Sequence, residues 1–325
     1  MAELQTNLWG QVFKNPVIPA AGPNVGSGRM AALAAEGGAG GILTKTISRV
    51  AAEVPHPNMV RIGKDSLLNT ELWSELSPED WFEREYDIAL AAARAHNLPL
   101  IASIGYSAED LVELGPRLED KGVDLIEFSI HYLDSEQLTR TASTLRDAVS
   151  IPIIAKLSPH AGDLGEIARL IDPYVDGFAC INSFGPTLAI DIENRAPFLG
   201  SRFGYGWLSG AALKPLAMRS VFEVARVSQK PIIGVGGVSR GEDVIEFLMA
   251  GAAMVGVCTA AILKGPTAYG KIAAEVDAWL EAHGHQSVDE VKGLYLEAMR
   301  GGQAVVTTLE ETAWVNESRC KACSL

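Results

Sequence analysis

Eight short apolar runs, most of them followed by an amphipathic stretch, constrain the fold of this chain more than any other feature. The runs cover residues 16–21, 41–46, 98–104, 125–130, 151–157, 177–181, 231–235 and 254–257. They are rich in β-branched residues and show little polar alternation, the pattern of parallel strands covered on both faces. The stretches 27–36, 78–96, 108–121, 134–148, 162–171, 211–228 and 240–251 read as helices. Several open on hydroxyl or acidic residues that can satisfy the first helical amides, as in Ser107-Ala-Glu-Asp110 and Ser239-Arg-Gly-Glu242. Gly122, the turn Val175-Asp176-Gly177 and Gly251 mark returns to the sheet.

Such alternation over about 250 residues predicts an α/β fold, a (β/α)8 TIM barrel. The alternative is a doubly wound open sheet, whose glycine loop follows its first strand. Here Gly234-Val-Gly-Gly237 follows the seventh run, where barrels gather phosphate-binding amides. Residues 1–282 are read as the barrel domain, and 283–325 as a helical extension and tail carrying Cys320-Lys-Ala-Cys323. Two insertions interrupt the alternation. Residues 47–75 are rich in proline and polar groups, and residues 182–210 carry Phe203, Tyr205, Trp207 and several glycines. Both leave C-terminal strand ends, the face on which barrels build active sites. Connections of this length are more often functional than accidental.

Composition excludes several classes. The chain has 27 basic and 40 acidic residues, a net charge of −13 that repels phosphate backbones, so nucleic acid is not an expected partner. No apolar run approaches the ~18 residues of a membrane span. The opening MAELQTNLWGQ lacks the pattern of a signal peptide, and four cysteines make no disulfide framework. A cytoplasmic protein acting on a small molecule is expected, with no membrane partner.

Residues 232–239, Ile-Ile-Gly-Val-Gly-Gly-Val-Ser, run into a helix and offer main-chain amides with few side chains in the way. That arrangement suits a phosphate. Residues 255–261 add a second turn of small residues and the hydroxyl of Thr259. Two such loops after adjacent late strands point to a phosphate-bearing cofactor. Lys45 and Lys156 each end an apolar strand. A lysine aimed into a barrel mouth is costly to desolvate unless it meets an anion or an electron-rich ring. A rim lysine with its head in water is the other reading.

These residues together form a recognisable series. Asn15-Pro-Val-Ile-Pro-Ala-Ala-Gly22, Thr44-Lys-Thr46, Asn69, Ile154-Ala-Lys-Leu-Ser-Pro159 and Ile181-Asn-Ser183 are followed by Leu208-Ser-Gly-Ala-Ala-Leu-Lys-Pro215, residues 234–239 and Cys258-Thr259. In that order the chain resembles the dihydroorotate dehydrogenase family, class 1 above all, and the similar FMN domain of dihydropyrimidine dehydrogenase. The resemblance implies an FMN flavoprotein that moves a hydride between FMN N5 and a ring C–C bond of a small cyclic substrate. An acid/base group on the opposite ring face would handle the proton. By matching positions, Ala20, Ala21 and Gly22 would face the isoalloxazine, and Lys45 and Lys156 would contact it. Gly210, Gly236, Gly237, Cys258 and Thr259 would hold the phosphate, and Asn69, Asn182 and Ser183 would orient the substrate. Class 1 relatives imply a homodimer. The electron donor or acceptor stays open.

The substrate side departs from the family pattern. After the fourth strand the family reads Asn-x-Ser-Cys-Pro-Asn, its Cys being the proton-transferring base. Here Ser129-Ile-His-Tyr-Leu-Asp134 puts Tyr132 at the base position, with Ser129 and Asp134 in place of two substrate-binding Asn residues. A phenol with a pKa near ~10 suits donating a proton during reduction, whereas His131, titrating near ~6.5, is the better base by pKa alone. Adjacent residues at a strand end do not both face the cofactor. The family's turn after Asn69 receives a substrate carboxylate on its amides. Here it reads Asn69-Thr-Glu-Leu-Trp73, and Glu71 opposes an anion if it points inward. Trp207 and Cys258 replace family glycines; Trp207 is placed to stack over a planar substrate or to pack within its loop.

Taken together, the departures make a neutral or cationic ring the expected substrate rather than orotate. Ordinary dihydroorotate oxidation is one alternative. A flavin-binding electron-transfer partner without a small substrate of its own is another. Cys320 and Cys323 resemble the opening of a ferredoxin-type extension with too few ligands for a metal, so a remnant or tail thiol pair is expected, a cluster shared across a dimer being the alternative.

Overall fold

The computed structural model describes residues 2–129 and 135–300. At its centre lies a sheet of eight parallel strands. They are β1 (Val17–Pro19), β2 (Ile42–Leu43), β3 (Leu100–Ile104), β4 (Leu125–Ser129), β5 (Ile153–Leu157), β6 (Gly177–Cys180), β7 (Ile232–Val235) and β8 (Met254–Val257). Spatial order follows chain order from β2 to β8, and β8 pairs back onto β1. Between β1 and β2 the Gly40 N–H donates to the Val17 carbonyl at 2.8 Å, which brings the sheet round into a (β/α)8 barrel.

One helix follows each strand: α1 (Gly28–Glu36), α2 (Tyr86–His96), α3 (Ala108–Lys121), α4 (Ser135–Ala148), α5 (Leu164–Ile171), α6 (Lys214–Ala225), α7 (Gly241–Met249) and α8 (Ala268–Ala282). Successive strand residues point to opposite faces, and here both faces are dry. On β4, Ile126 and Phe128 pack outward in the shell between strands and helices, while Leu125 packs inward with Ile18, Ile101, Ile154 and Met254. That double burial is why the strands read as unbroken apolar runs.

A hairpin of Thr6–Leu8 and Gln11–Phe13 precedes β1. Phe13 is fully buried in the inner cluster at the N-terminal end of the barrel. Trp9 stands edge-on to it and donates its indole N–H to the Asp176 carbonyl at 2.7 Å. A side chain at Gly177 would collide with this indole, its Cβ lying 2.6 Å from the ring.

Local details differ from the sequence reading where side-chain partners decide. The 78–96 stretch is helical, but Trp81–Glu85 is wound as a π-helix before α2. The expected cap of α3 is present, Ser107 Oγ accepting from the Asp110 amide at 3.1 Å. At α7 the capping acid is Asp243 rather than Glu242, accepting from the amides of Ser239 and Arg240 at 2.8 and 3.1 Å. Residues 211–213 form a 3-10 turn before α6. Past α8, Val288, Val291 and Leu296 are buried against the barrel's outer shell. Cys320 and Cys323 lie outside the described residues. No described helix is long and apolar enough to cross a membrane.

The two insertions pair with each other. Strands Met59–Ile62 and Ser66–Asn69 from the first join Phe184–Leu188 and Tyr205–Gly210 from the second in a four-stranded antiparallel sheet. Across the join, Trp207 stands opposite Asn69 and Leu208 opposite Leu68.

Candidate active site

Alternation along the barrel strands decides which residues reach the interior above the apolar layer. On β4 the positions of Leu125, Glu127 and Ser129 share the inward face, and on β5 those of Ile154 and Lys156 do the same. A cavity of about 380 Å³ opens above them at the C-terminal end of the barrel, within the usual range of small-molecule sites. The double-insertion sheet supplies part of its wall through Leu67, Asn69, Trp207 and Ser209.

Small residues make one side. Ala20, Ala21 and Gly22 line it together with Val235 and Gly256. Cys258 packs so closely here that a Cβ on Gly22 would lie 2.6 Å from its Sγ. Burial pushes the Cys258 thiol up to about 11, against the pull of Lys45 and Lys156, so it is neutral near pH 7.

Both lysines point into the cavity and both are buried, 5% and 3% exposed, so neither is a rim lysine with its head in water. Each faces an acid. Lys45 Nζ lies 2.7 Å from Glu71 Oε2, and Asn58 Nδ2 donates to the other Glu71 oxygen at 2.7 Å. Glu71 therefore points inward. Its turn is pinned to the second insertion, because the Glu71 amide donates to Asn69 Oδ1 and Asn69 Nδ2 donates to the Trp207 carbonyl. Lys156 Nζ lies 3.8 Å from Oε1 of Glu127, an acid with no solvent exposure. Burial pushes the Glu127 carboxyl up, opposed by Lys156 and by the Ser103 hydroxyl.

The side near β7 and β8 is built from main chain. Gly210, Gly236 and Gly237 have φ of +87°, +133° and +82°, in the region that favours glycine. A Cβ at Gly237 would lie 2.6 Å from Lys214 Cβ, and one at Gly210 would lie 2.4 Å from the Asp65 carbonyl oxygen. Thr259 opens the short helix Thr259–Lys264, whose first amides have no partner within the helix. Its hydroxyl donates to Ser209 Oγ at 3.0 Å. Opposite, Asn182 Nδ2 donates to Ser129 Oγ at 3.2 Å, and Ser183 completes that wall.

The cavity thus gathers every described residue singled out from the sequence as a site residue. Tyr132, His131 and Asp134 lie outside the described residues. Two residues went unnoticed. Glu127 was signalled by one acid within Leu125-Ile-Glu-Phe-Ser129, on the inward parity. Tyr106, which lines the cavity, carried no signal. Its amide and that of Ser107 donate to Asp110 Oδ2, while Ser48 Oγ and the Arg49 amide donate to Oδ1, so Asp110 clamps the segments after β2 and β3 together.

The sequence profile of the family described as dihydroorotate dehydrogenase matches residues 3–280. The chain belongs to the dihydroorotate dehydrogenase family. It is an FMN-dependent oxidoreductase acting on a CH–CH bond. Among its relatives, the catalytic subunit of dihydroorotate dehydrogenase B (NAD(+)) from Methanothermobacter thermautotrophicus is 35% identical over 306 residues, covering 90% of this chain and 98% of the relative. Proteins of the same name from Thermoplasma volcanium and Pyrococcus furiosus are each 32% identical, covering 91% and 90% of this chain and 100% and 98% of theirs.

The cavity of this family member fits FMN. Its flat side of small residues leaves room for a planar ring, two buried ammonium groups face that space, and left-handed glycines beside a helix start can take a phosphate. The two residues that replace family glycines leave this room open. Cys258 Sγ is turned onto Gly22, and the Trp207 ring packs against Gly185, whose Cβ would lie 2.9 Å from it.

Proposed function

We propose that this chain oxidises the ring of dihydroorotate across its C–C single bond and serves as the catalytic subunit of an assembly that delivers the electrons to NAD(+). The observation that carries this reading is the match at 35% identity over 90% of the chain to a relative bearing that name. Bound FMN supplies the hydride acceptor. Gly210, Gly236, Gly237, Cys258 and Thr259 hold its phosphate, and Ala20, Ala21 and Gly22 leave its ring uncrowded. Lys156 sets a positive charge where negative charge develops on reduction, which is electrostatic stabilisation. Asn69, Asn182 and Ser183 orient the substrate ring, with Ser129 held by Asn182. The proton leaves on the opposite face to His131 or Tyr132; an imidazole with an ordinary pKa near ~6.5 suits removal in the oxidative direction. A cytoplasmic homodimer goes with this reading.

One observation favours a second reading, a neutral or cationic ring without a carboxylate. Glu71 already neutralises Lys45 inside the pocket. A substrate carboxylate about 4 Å from Glu71 would meet a repulsion of about 1 kcal/mol in water and about 4 kcal/mol at an effective dielectric near 20. Anaerobic mixing of the FMN-loaded protein with dihydroorotate and, separately, with dihydrouracil decides between them. Bleaching of the flavin by dihydroorotate supports the first reading, and bleaching by dihydrouracil alone supports the second. No bleaching by either overturns both.

A further inference from the structure

Glu127 lies one layer below the cavity, on the inward face of β4 between Leu125 and Ser129. Ser103 Oγ donates to its Oε1 at 3.2 Å, and Lys156 Nζ stands 3.8 Å from the same oxygen. Its other oxygen, Oε2, is buried with no hydrogen-bond partner among the described residues. A charge-assisted N–H···O contact closes to about 2.7–2.9 Å, so this ion pair is stretched. A fully buried carboxylate with one bare oxygen is costly, and a proton delivered through Ser103 to Oε1 removes the charge from the whole group. Thr46, which lines the cavity, reaches the acid through hydroxyls alone: its Oγ1 is 2.9 Å from Ser103 Oγ.

We propose that Glu127 is a proton store beneath the flavin, ionised against Lys156 while FMN is oxidised and protonated once FMN is reduced. The inference rests on FMN in this cavity and not on which ring is oxidised. The electrons come from the substrate's hydride. The negative charge that they bring to the flavin draws on the Lys156 ammonium, and the carboxylate left behind takes one proton from solvent through Thr46 and Ser103 to become a carboxylic acid. On reoxidation the proton returns by the same route, and no carbon bond at Glu127 changes.

The surroundings leave few other groups to take that part. Lys156 faces Glu127 from β5, and Tyr106 feels its charge from the segment after β3, where burial first and then Glu127 push the phenol up. Lys45 beyond β2 is held by Glu71. The inward residues Ile18 of β1, Ala179 of β6, Ile233 of β7 and Met254 of β8 are apolar. Glu127 therefore acts on the flavin through Lys156, as a positioning residue.

The test compares the FMN-loaded protein with its Glu127→Gln variant during stepwise anaerobic reduction by dithionite. Protons taken up per flavin are counted with a pH indicator in weak buffer, and the midpoint potential is measured against pH. The expected result is about one more proton per flavin in the unaltered protein. Its potential then falls more steeply than the variant's by about 30 mV per pH unit, the value of one proton in a two-electron couple, over the range where Glu127 titrates. Equal proton counts with parallel slopes overturn the proposal. Should Glu127→Gln fail to fold or to hold FMN, an infrared difference spectrum of the unaltered protein decides. A deuterium-sensitive protonated-carboxyl band that appears on reduction supports the store, and its absence overturns it.

Discussion

Glu71 and Lys45 form an ion pair within the cavity, with 2.7 Å between Oε2 and Nζ. The acid thereby occupies the charge of a lysine that would otherwise be available to an anionic ligand. Glu71→Gln keeps the side-chain shape and frees the ammonium. It is expected to tighten dihydroorotate binding about tenfold, or about 1.4 kcal/mol. The concentration dependence of anaerobic flavin bleaching measures this, and an unchanged half-saturation would show that the two carboxylates never meet.

Cys258 lines the cavity with its thiol pushed up by burial to about 11. Reaction with an alkylating agent needs the thiolate, which at pH 8 is then about a thousandth of the population. Iodoacetamide is expected to spare Cys258 in the folded protein at pH 8 and to modify it only near pH 10 and above. Peptide mass spectrometry reads the outcome. Labelling at pH 8 as fast as in the unfolded chain would contradict the burial.

Asp110 fastens the segments after β2 and β3. Burial pushes its carboxyl up, but hydrogen bonds from Ser107, Arg49 and Ser48 outweigh this and bring it down to about 2. A folded value below the unfolded ~3.9 means that the stability it contributes is complete above about pH 4 and is lost as pH falls towards 2. The gap is worth about 2–3 kcal/mol. Asp110→Asn is expected to lower the unfolding free energy by about that amount at pH 7 and by much less at pH 2, as denaturant titration at the two pH values would show.

Gly237 sits at φ +82° with Lys214 packed behind it. Gly237→Val is expected to cost about 1–3 kcal/mol of stability through backbone strain and to yield protein with little bound flavin. Gly63 has φ +60° and open space around it, so Gly63→Ala serves as the control. It should cost about 1 kcal/mol and retain the yellow colour.

The barrel was legible because doubly buried parallel strands write themselves as apolar runs, and the pocket residues were legible because they sit at the ends of those runs. The contents of the two insertions were harder. Nothing in residues 66–69 or 207–210 announces that they pair, since a ladder between distant segments depends on where the barrel puts their ends. The direction of Glu71 was likewise open, being fixed by Lys45 and by Asn58, just before the strand Met59–Ile62. The hairpin before β1 has strands of only three residues, too short to show a period. Glu127 was visible as an oddity, but its meaning appears only when β4 and β5 lie side by side and set it below Lys156.

With Phe13 and Trp9 filling the N-terminal end of the barrel, the flavin's visitors come to it from the C-terminal end, where the cavity lies. A reductant entering and an oxidant arriving from solution cannot stand there at once. Turnover with a soluble small acceptor should therefore run as an exchange of visitors, giving parallel lines in double-reciprocal plots, while a large acceptor has to collect its electrons from the threshold.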